Sequence, residues 1–251
     1  MAEQPTVHAS QMKIGCAGWS LPRDSWSQFP EEGTHLQRYA QRINAAEINS
    51  SFYRPHQPTT YARWAADVPA DFLFSVKLPK TITHEQRLRD CGNLLDSFLP
   101  QAGGLGNKLG CLLVQLPPSL VLGEKIAQTF FKALRVRHEG AVALEPRHAS
   151  WFTPAADQLL QHWCIARVLA DPVLHDPGRW PGGWADMVYL RLHGSPRMYY
   201  SSYGDGVLRA LADRMQMAAA EGKRVWCIFD NTASGAATHN ALELGQLLRK
   251  P

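Results

Sequence analysis

The sequence predicts a single α/β domain folded as a (β/α)8, or TIM, barrel. Eight short apolar runs of strand length recur along the 251 residues at intervals of roughly 30, and amphipathic stretches of helical period separate most of them. An open doubly wound sheet is the alternative, but no G-x-G-x-x-G fingerprint follows any of the runs. Gly15-Cys16-Ala17-Gly18 lacks that spacing, and neither a Walker-type loop nor any other nucleotide-cofactor motif is present. No linker, low-complexity segment or charge block divides the chain, so residues 1–251 read as one domain with a polar tail at 1–11.

In chain order the expected strands are Lys13–Cys16, Ala45–Ile48, Phe72–Lys77, Cys111–Gln115, Val142–Glu145, Arg167–Ala170, Val188–His193 and Val225–Asp230. Leu36, Ala40 and Ile43 line one face of the first helix, and Ile126, Phe130 and Leu134 one face of the fourth. Thr153 followed by Pro154 marks the start of the fifth, as an N-cap and first-turn proline. The seventh presents Leu208, Leu211 and Met215, and the last Leu244, Leu247 and Leu248. Asp171 to Asp186 is rich in proline, glycine and tryptophan, which predicts that the sixth helix is missing or reduced to a turn.

A net charge of +4 tolerates an anionic ligand but is too small to announce a binder of duplex nucleic acid. The five cysteines are scattered without a C-x-x-C pair, so reduced thiols are expected, with no disulfide framework or cysteine metal site. The N-terminus lacks a signal-peptide core and no apolar run reaches transmembrane length. A cytoplasmic protein without a membrane partner is expected, and no feature points to a partner protein.

Strand side chains alternate between two faces, so parity sorts them. Tyr189, Arg191 and His193 share one parity against Val188, Leu190 and Leu192. The same sorting sets Glu47 and Asn49 against Ile48, Ser75 and Lys77 against Phe74 and Val76, Gln115 against Leu112 and Val114, and Glu145 against Leu144. The polar set should point into the barrel, with Asp230 closing the last strand. Charges of both signs placed there must pair or bind something, because an isolated buried charge costs several kcal/mol or more. For Glu47 and Arg191, a structural ion network is as good a reading as ligand binding.

The C-terminal ends of parallel strands are where α/β folds keep their sites. There the sequence places Glu145, His148, His193 and Asp230 as catalytic candidates. Trp19, Glu47, Asn49, Tyr53, Lys77, His84, Gln115, Arg147, Trp151, Arg191, Tyr203 and Asn231 are candidates for binding substrate. Aromatic residues crowd the loops after the strands; Phe52 and Phe152 are expected to plug the barrel top, and Tyr53, Trp151 and Tyr203 to face a ligand.

These stretches together resemble a known family. Gly15-Cys16-Ala17-Gly18-Trp19, Glu47-Ile48-Asn49-Ser50-Ser51-Phe52-Tyr53, Ile82-Thr83-His84 and Gln115-Leu116-Pro117-Pro118-Ser119 look like the domain-of-unknown-function 72, or YecE-like, family. So do Glu145-Pro146-Arg147-His148-Ala149-Ser150-Trp151, Tyr189-Leu190-Arg191-Leu192-His193-Gly194 and Phe229-Asp230-Asn231. The resemblance runs in order from about Lys13 to Leu248 and implies a TIM barrel, but it supplies no activity. Where the family start reads Gly-Thr-Ser-Gly-Trp, this chain has Gly-Cys-Ala-Gly-Trp and loses any hydroxyl contact made there. Pro146 inside the Glu-x-Arg-His element should stiffen that turn.

Carboxylates and imidazoles converging on one mouth can take and return protons, and Lys77, Arg147 and Arg191 can hold phosphate or carboxylate groups. The expected function is therefore an enzyme, a hydrolase, lyase or isomerase, acting by acid–base chemistry on an anionic, phosphate- or sugar-containing substrate. One alternative is a metal-dependent phosphodiesterase or endonuclease-like barrel, with a divalent metal on His84, Glu145, His148, His193 or Asp230. No H-x-H or H-E-x-x-H signature supports it, and the metal is not favoured. The other is a non-catalytic module that binds a nucleic acid or nucleotide.

Overall fold

The computed structural model describes residues 12–249; the polar tail expected at 1–11 lies outside them. Ten strand segments form one sheet: β1 (Met12–Ala17), β2 (Ala45–Ile48), β3 (Leu73–Lys77), β4 (Leu109–Gln115), β5 (Val142–Glu145), β6 (Ile165–Arg167), β7 (Leu169–Asp171), β8 (Gly182–Gly183), β9 (Met187–Leu192) and β10 (Arg224–Phe229). Their order is β7-β9-β10-β1-β2-β3-β4-β5-β6-β8. Segments β6 and β7 are successive halves of one stave. The lower half pairs parallel with β5, the upper half pairs parallel with β9, and Val168 between them donates its N–H to Leu144 O at 2.9 Å. That shared stave completes the circuit, so the predicted eight-stave barrel is the fold. The expected sixth strand, Arg167–Ala170, was too short, because its two halves serve different neighbours.

Helices α1 (His35–Ala40), α2 (Pro58–Ala66), α3 (Gly92–Ala102), α4 (Glu124–Arg135), α5 (Pro154–His162), α6 (Asp205–Ala220) and α7 (Ala236–Leu247) follow the staves. Between Asp171 and Met187 stands no α-helix, only a 3-10 turn at Asp176–Arg179 and the two-residue β8, antiparallel to β6. The proline-rich composition of that connection predicted this.

Local signals set the helix starts. Thr34 and Gln37 form a capping box, and Thr153 Oγ1 accepts from Ala156 N at 3.2 Å with Pro154 in the first turn. The apolar faces turn inward: Phe130, Phe131 and Leu134 of α4 and Leu208, Leu211 and Met215 of α6 are buried.

Parity divides the core into two layers. Ile14, Ile48, Phe74, Leu112, Val114, Leu144, Leu190 and Phe229 face the helices. Ala45, Cys111, Leu113, Ala143, Tyr189, Trp226 and Ile228 fill the barrel interior. Trp226 occupies that interior because Gly110 opposite has no side chain; a Cβ there would come within 2.6 Å of the indole. Tyr189 stacks on Trp226, with ring centroids 6.0 Å apart and planes 9° apart, and this pair forms the floor below the site.

Candidate functional site

Above that floor the inward residues at the strand ends are charged. Arg191 of β9 stands at the centre. Its Nε and Nη2 donate to both carboxylate oxygens of Glu47 on β2, at 3.0 and 2.7 Å. Its Nη1 reaches Glu145 Oε2 on β5 at 3.2 Å and Asp230 Oδ2, just past β10, at 3.1 Å. One planar guanidinium can serve carboxylates on several sides because its donors are fixed in a fork. His193 follows two residues later with the same parity. Its Nε2 lies 2.8 Å from Glu145 Oε1 and its Nδ1 lies 3.0 Å from Asp230 Oδ2. Arg147, from the turn after β5, brings its Nη2 to 2.6 Å from Glu145 Oε1, beside His193 Nε2 at 2.9 Å. Below them Tyr189 Oη sits 3.1 Å from Glu47 Oε2 and 2.9 Å from Ser75 Oγ.

Glu47, Glu145 and His193 are fully buried, and Arg191 and Asp230 nearly so. Burial opposes charge on each, and the pairing decides the outcome. Burial pushes the Glu145 and Asp230 carboxyls up, but Arg191 and His193 outweigh it, so both stay below the usual carboxylate range. Burial pushes His193 down, yet Glu145 and Asp230 raise it net above the ordinary imidazole value. Arg191, for all its burial, is held charged by Glu47, Asp230 and Glu145.

On the β3 side lies a second group. Lys77 ends that strand, nearly buried, with Nζ 4.1 Å from the centre of the Phe52 ring. Among the described residues its ammonium has neither an ion pair nor a hydrogen bond; the carboxylates of the mouth are committed to Arg191, Arg147 and His193. Burial and then Arg191 push it down to about 8, against the partial pull of Glu47, Glu145 and Asp230. Phe52, expected as a plug, is thus the platform under this amine. His84 packs edge-on to Phe52 at 4.9 Å, its Nδ1 2.8 Å from Thr83 Oγ1, and burial and Lys77 lower its pKa.

Beside the charged cluster a cavity of about 380 Å³ opens over the ends of β1 and β2, lined by Gly18, Trp19, His35, Asn49 and Glu47 among others. Asn49 Oδ1 and Arg147 Nε are buried without hydrogen-bond partners. Gln115 ends β4, half-buried and in register with Glu145. Tyr53 stands on the rim, 69% exposed, its ring edge-on to Phe52.

Four candidates are elsewhere. His148 caps the 3-10 turn at Ala149–Trp151, its Nδ1 accepting from Ser150 N at 3.2 Å, and among the described residues it makes no hydrogen bond or ion pair with the cluster. Trp151 is turned away from the charged cluster: it is 1% exposed, donating Nε1–H to Leu120 O at 2.9 Å and packing on Phe131. Tyr203 is likewise turned in, with Oη 2.6 Å from Asp171 Oδ2 and accepting from Gly194 N at 2.7 Å. Asn231 ties loops together, donating Nδ2–H to Ser201 O and Asn240 Oδ1. In each case a polar atom of the side chain found a partner in the loop scaffold, although Asn231 Oδ1 is left buried without one among the described residues.

Tyr199 was missed. Its ring lies edge-on over His193 at 5.8 Å, and its N–H donates to His193 O at 2.5 Å. Its φ of +69° is rare for a tyrosine and holds it in that turn. Several aromatics stand side by side in that loop, and only backbone conformation distinguishes the one that covers the site. Among the described residues no three His, Cys, Asp or Glu side chains are arranged to hold a metal ion. Both His193 nitrogens face carboxylates that are themselves committed to guanidinium groups. No helix among the described residues is long and apolar enough to cross a membrane.

A family model described as "Protein of unknown function DUF72" matches residues 13–251. The UPF0759 protein YecE of Escherichia coli (strain K12) is 30% identical over 145 residues, which are 58% of this chain and 52% of that protein. The chain thus spans about half the length of that relative. The UPF0759 protein YunF of Bacillus subtilis (strain 168) is 22% identical across 94% of each chain. The crystal structure of a DUF72 family protein from Enterococcus faecalis superimposes with a TM-score of 0.79 at 20% identity, covering 96% of each chain, which shows a shared fold.

Proposed function

The chain belongs to the family of unknown function DUF72, and from that premise we propose that it is an enzyme performing acid–base chemistry on a small anionic substrate at the C-terminal mouth of its barrel. The observation that carries this is the placement of His193 between Glu145 and Asp230, with cations left over around it. Three carboxylates (Glu47, Glu145, Asp230) meet four cations (Lys77, Arg147, Arg191 and protonated His193). An anion entering the mouth balances the excess charge. Among the described residues Arg147 has an unused Nε–H and Lys77 an ammonium held only by the Phe52 face, the donor types that hold phosphate or carboxylate oxygens.

His193 is poised to give a proton from its imidazolium, with Glu145 and Asp230 orienting the ring and stabilising its charge. Having given it, the neutral imidazole can take a proton back. Arg191 holds the two carboxylates apart from each other in one fixed geometry, so the histidine does not reorganise as its charge changes. A substrate reaching His193 would displace the Tyr199 ring, a half-exposed side chain on the rim.

Calorimetric titration with inorganic phosphate and small sugar phosphates at low ionic strength tests the reading. We expect saturable binding by the folded protein, weakened about tenfold or more in Arg147→Met, the loss of one charge-assisted contact. No anion binding by the wild-type chain would remove the proposal. With a substrate in hand, His193→Gln should lower kcat by about 10²-fold or more.

The complete burial of Glu47 and Arg191 favours a second reading, in which the cluster only braces the barrel. On that reading Glu145→Gln lowers the melting temperature but leaves anion binding and turnover intact.

A further inference from the structure

Proton transfer at His193 leaves one reactive group of the mouth without a task. A lysine that merely balanced charge would touch a carboxylate, as Lys80 touches Glu85 at 3.1 Å on the surface. Lys77 is denied this, since the forked guanidinium of Arg191 spans Glu47, Glu145 and Asp230 from the centre of the barrel. What holds its Nζ is the face of Phe52, which positions an amine without taking up a hydrogen-bond donor or a lone pair. Lys77 also ends a barrel strand at the mouth where the acid–base pair stands.

We propose that Lys77 is a carbonyl-capturing amine, whose Nζ forms an imine with the aldehyde or ketone group of a small anionic substrate. The proposal rests on the reading of the mouth as an anion-binding acid–base site and adds its substrate class: oxo-acids and phosphorylated oxo-sugars. The neutral amine attacks the carbonyl carbon, a C–N bond forms as the C=O π bond breaks, and the oxygen takes up the proton that nitrogen sheds. The resulting hydroxyl leaves as water once protonated, and the C=N bond forms, so one water is released for each imine made. Protonated, that imine withdraws electrons from the neighbouring carbon, whose proton or carbon–carbon bond is then the one to be broken. His193 is the group of the cluster suited to receive or return that proton.

The chemistry needs an unprotonated amine near neutral pH. Burial and the nearby Arg191 charge bring Lys77 down to about 8 from an ordinary value of 10.5, so that at pH 7 it is still mainly the cation but carries a neutral fraction of roughly a tenth, far above that of an ordinary lysine.

The test is reductive trapping. The folded wild-type chain is incubated at neutral pH with glyoxylate or pyridoxal phosphate, both anionic aldehydes, and then with cyanoborohydride, and the modified peptide is identified by mass spectrometry. Lys77 should be labelled on the order of tenfold or more faster than the exposed Lys80. Inorganic phosphate should slow labelling at Lys77 and leave Lys80 unaffected. Lys77→Arg should abolish the site-specific adduct, and Lys80→Arg should leave it unchanged. Labelling of Lys77 no faster than of Lys80 in the wild-type chain overturns the proposal, and needs no variant to be read. If phosphate binds by calorimetry while Lys77 remains unlabelled, the imine fails and the acid–base site stands; if neither is seen, both fail.

Discussion

Arg191 is the residue on which the mouth depends, because a single guanidinium neutralises carboxylates delivered by β2, β5 and the end of β10. Removing it leaves those carboxylates buried with too few partners. Arg191→Met should therefore destabilise the protein by about 3–5 kcal/mol, measured by urea denaturation. Arg191→Lys should recover little of this, since one ammonium cannot make the paired contacts to Glu47 at 3.0 and 2.7 Å. A loss below about 1 kcal/mol for Arg191→Met would mean that the carboxylates are not held as an ion network at all. At this scale the sequence could name the charged residues but not their partners. His148 illustrates the limit: its chemistry suited the site, and a nearer backbone N–H took its ring.

At the scale of elements the sequence was most informative. Parity along each stave put Glu47, Lys77, Glu145, Arg191 and His193 on the inward face, because side-chain direction alternates with the backbone whatever the stave packs against. The helix starts were equally local. Thr153→Ala, which removes the bond from Ala156 N, should cost about 1 kcal/mol in thermal or chemical denaturation and leave anion binding unchanged. Where an element depends on two neighbours, local reading failed. The stave from Ile165 to Asp171 changes partner at Val168, and nothing in its composition marks that residue. The aromatic loops failed for the same reason: Trp151 and Tyr203 found hydrogen-bond partners across the loop layer, while Tyr199 was set over His193 by its own backbone.

For the whole molecule, the buried charges make stability depend on pH. His193 has a raised folded pKa, so its contribution is complete below its unfolded value of about 6.5 and is lost as pH rises through the folded value. Glu145 and Asp230 have depressed folded values. Their contribution is complete above the unfolded range near 4 and is lost as pH falls through the folded values. Lys77 acts in the opposite sense to His193: the folded state holds its proton less tightly, so stability recovers as pH rises between about 8 and the unfolded value near 10.5. Urea midpoints across this range should show a plateau in the mildly acidic region, with a decline on each side. His193→Gln should flatten the decline above about 6.5, and Lys77→Met should remove the recovery above about 8. A His193→Gln profile parallel to wild type would show that the imidazole is not charged between its carboxylates.

The sequence by itself determined the barrel, its missing sixth helix and the inward direction of the charged residues. Each of these follows from periodicity and composition over a few neighbouring residues. Only the tertiary structure decided how those residues pair. The contact between Glu47 and Arg191 joins positions 144 residues apart, and it exists because closing the barrel brings β2 and β9 to face each other across its interior. From that closure follow the clamp on His193 and the commitment of Glu47, Glu145 and Asp230 to groups other than Lys77. Pairing across a closed barrel is a property of register and circumference, and no stretch of the chain carries either one alone.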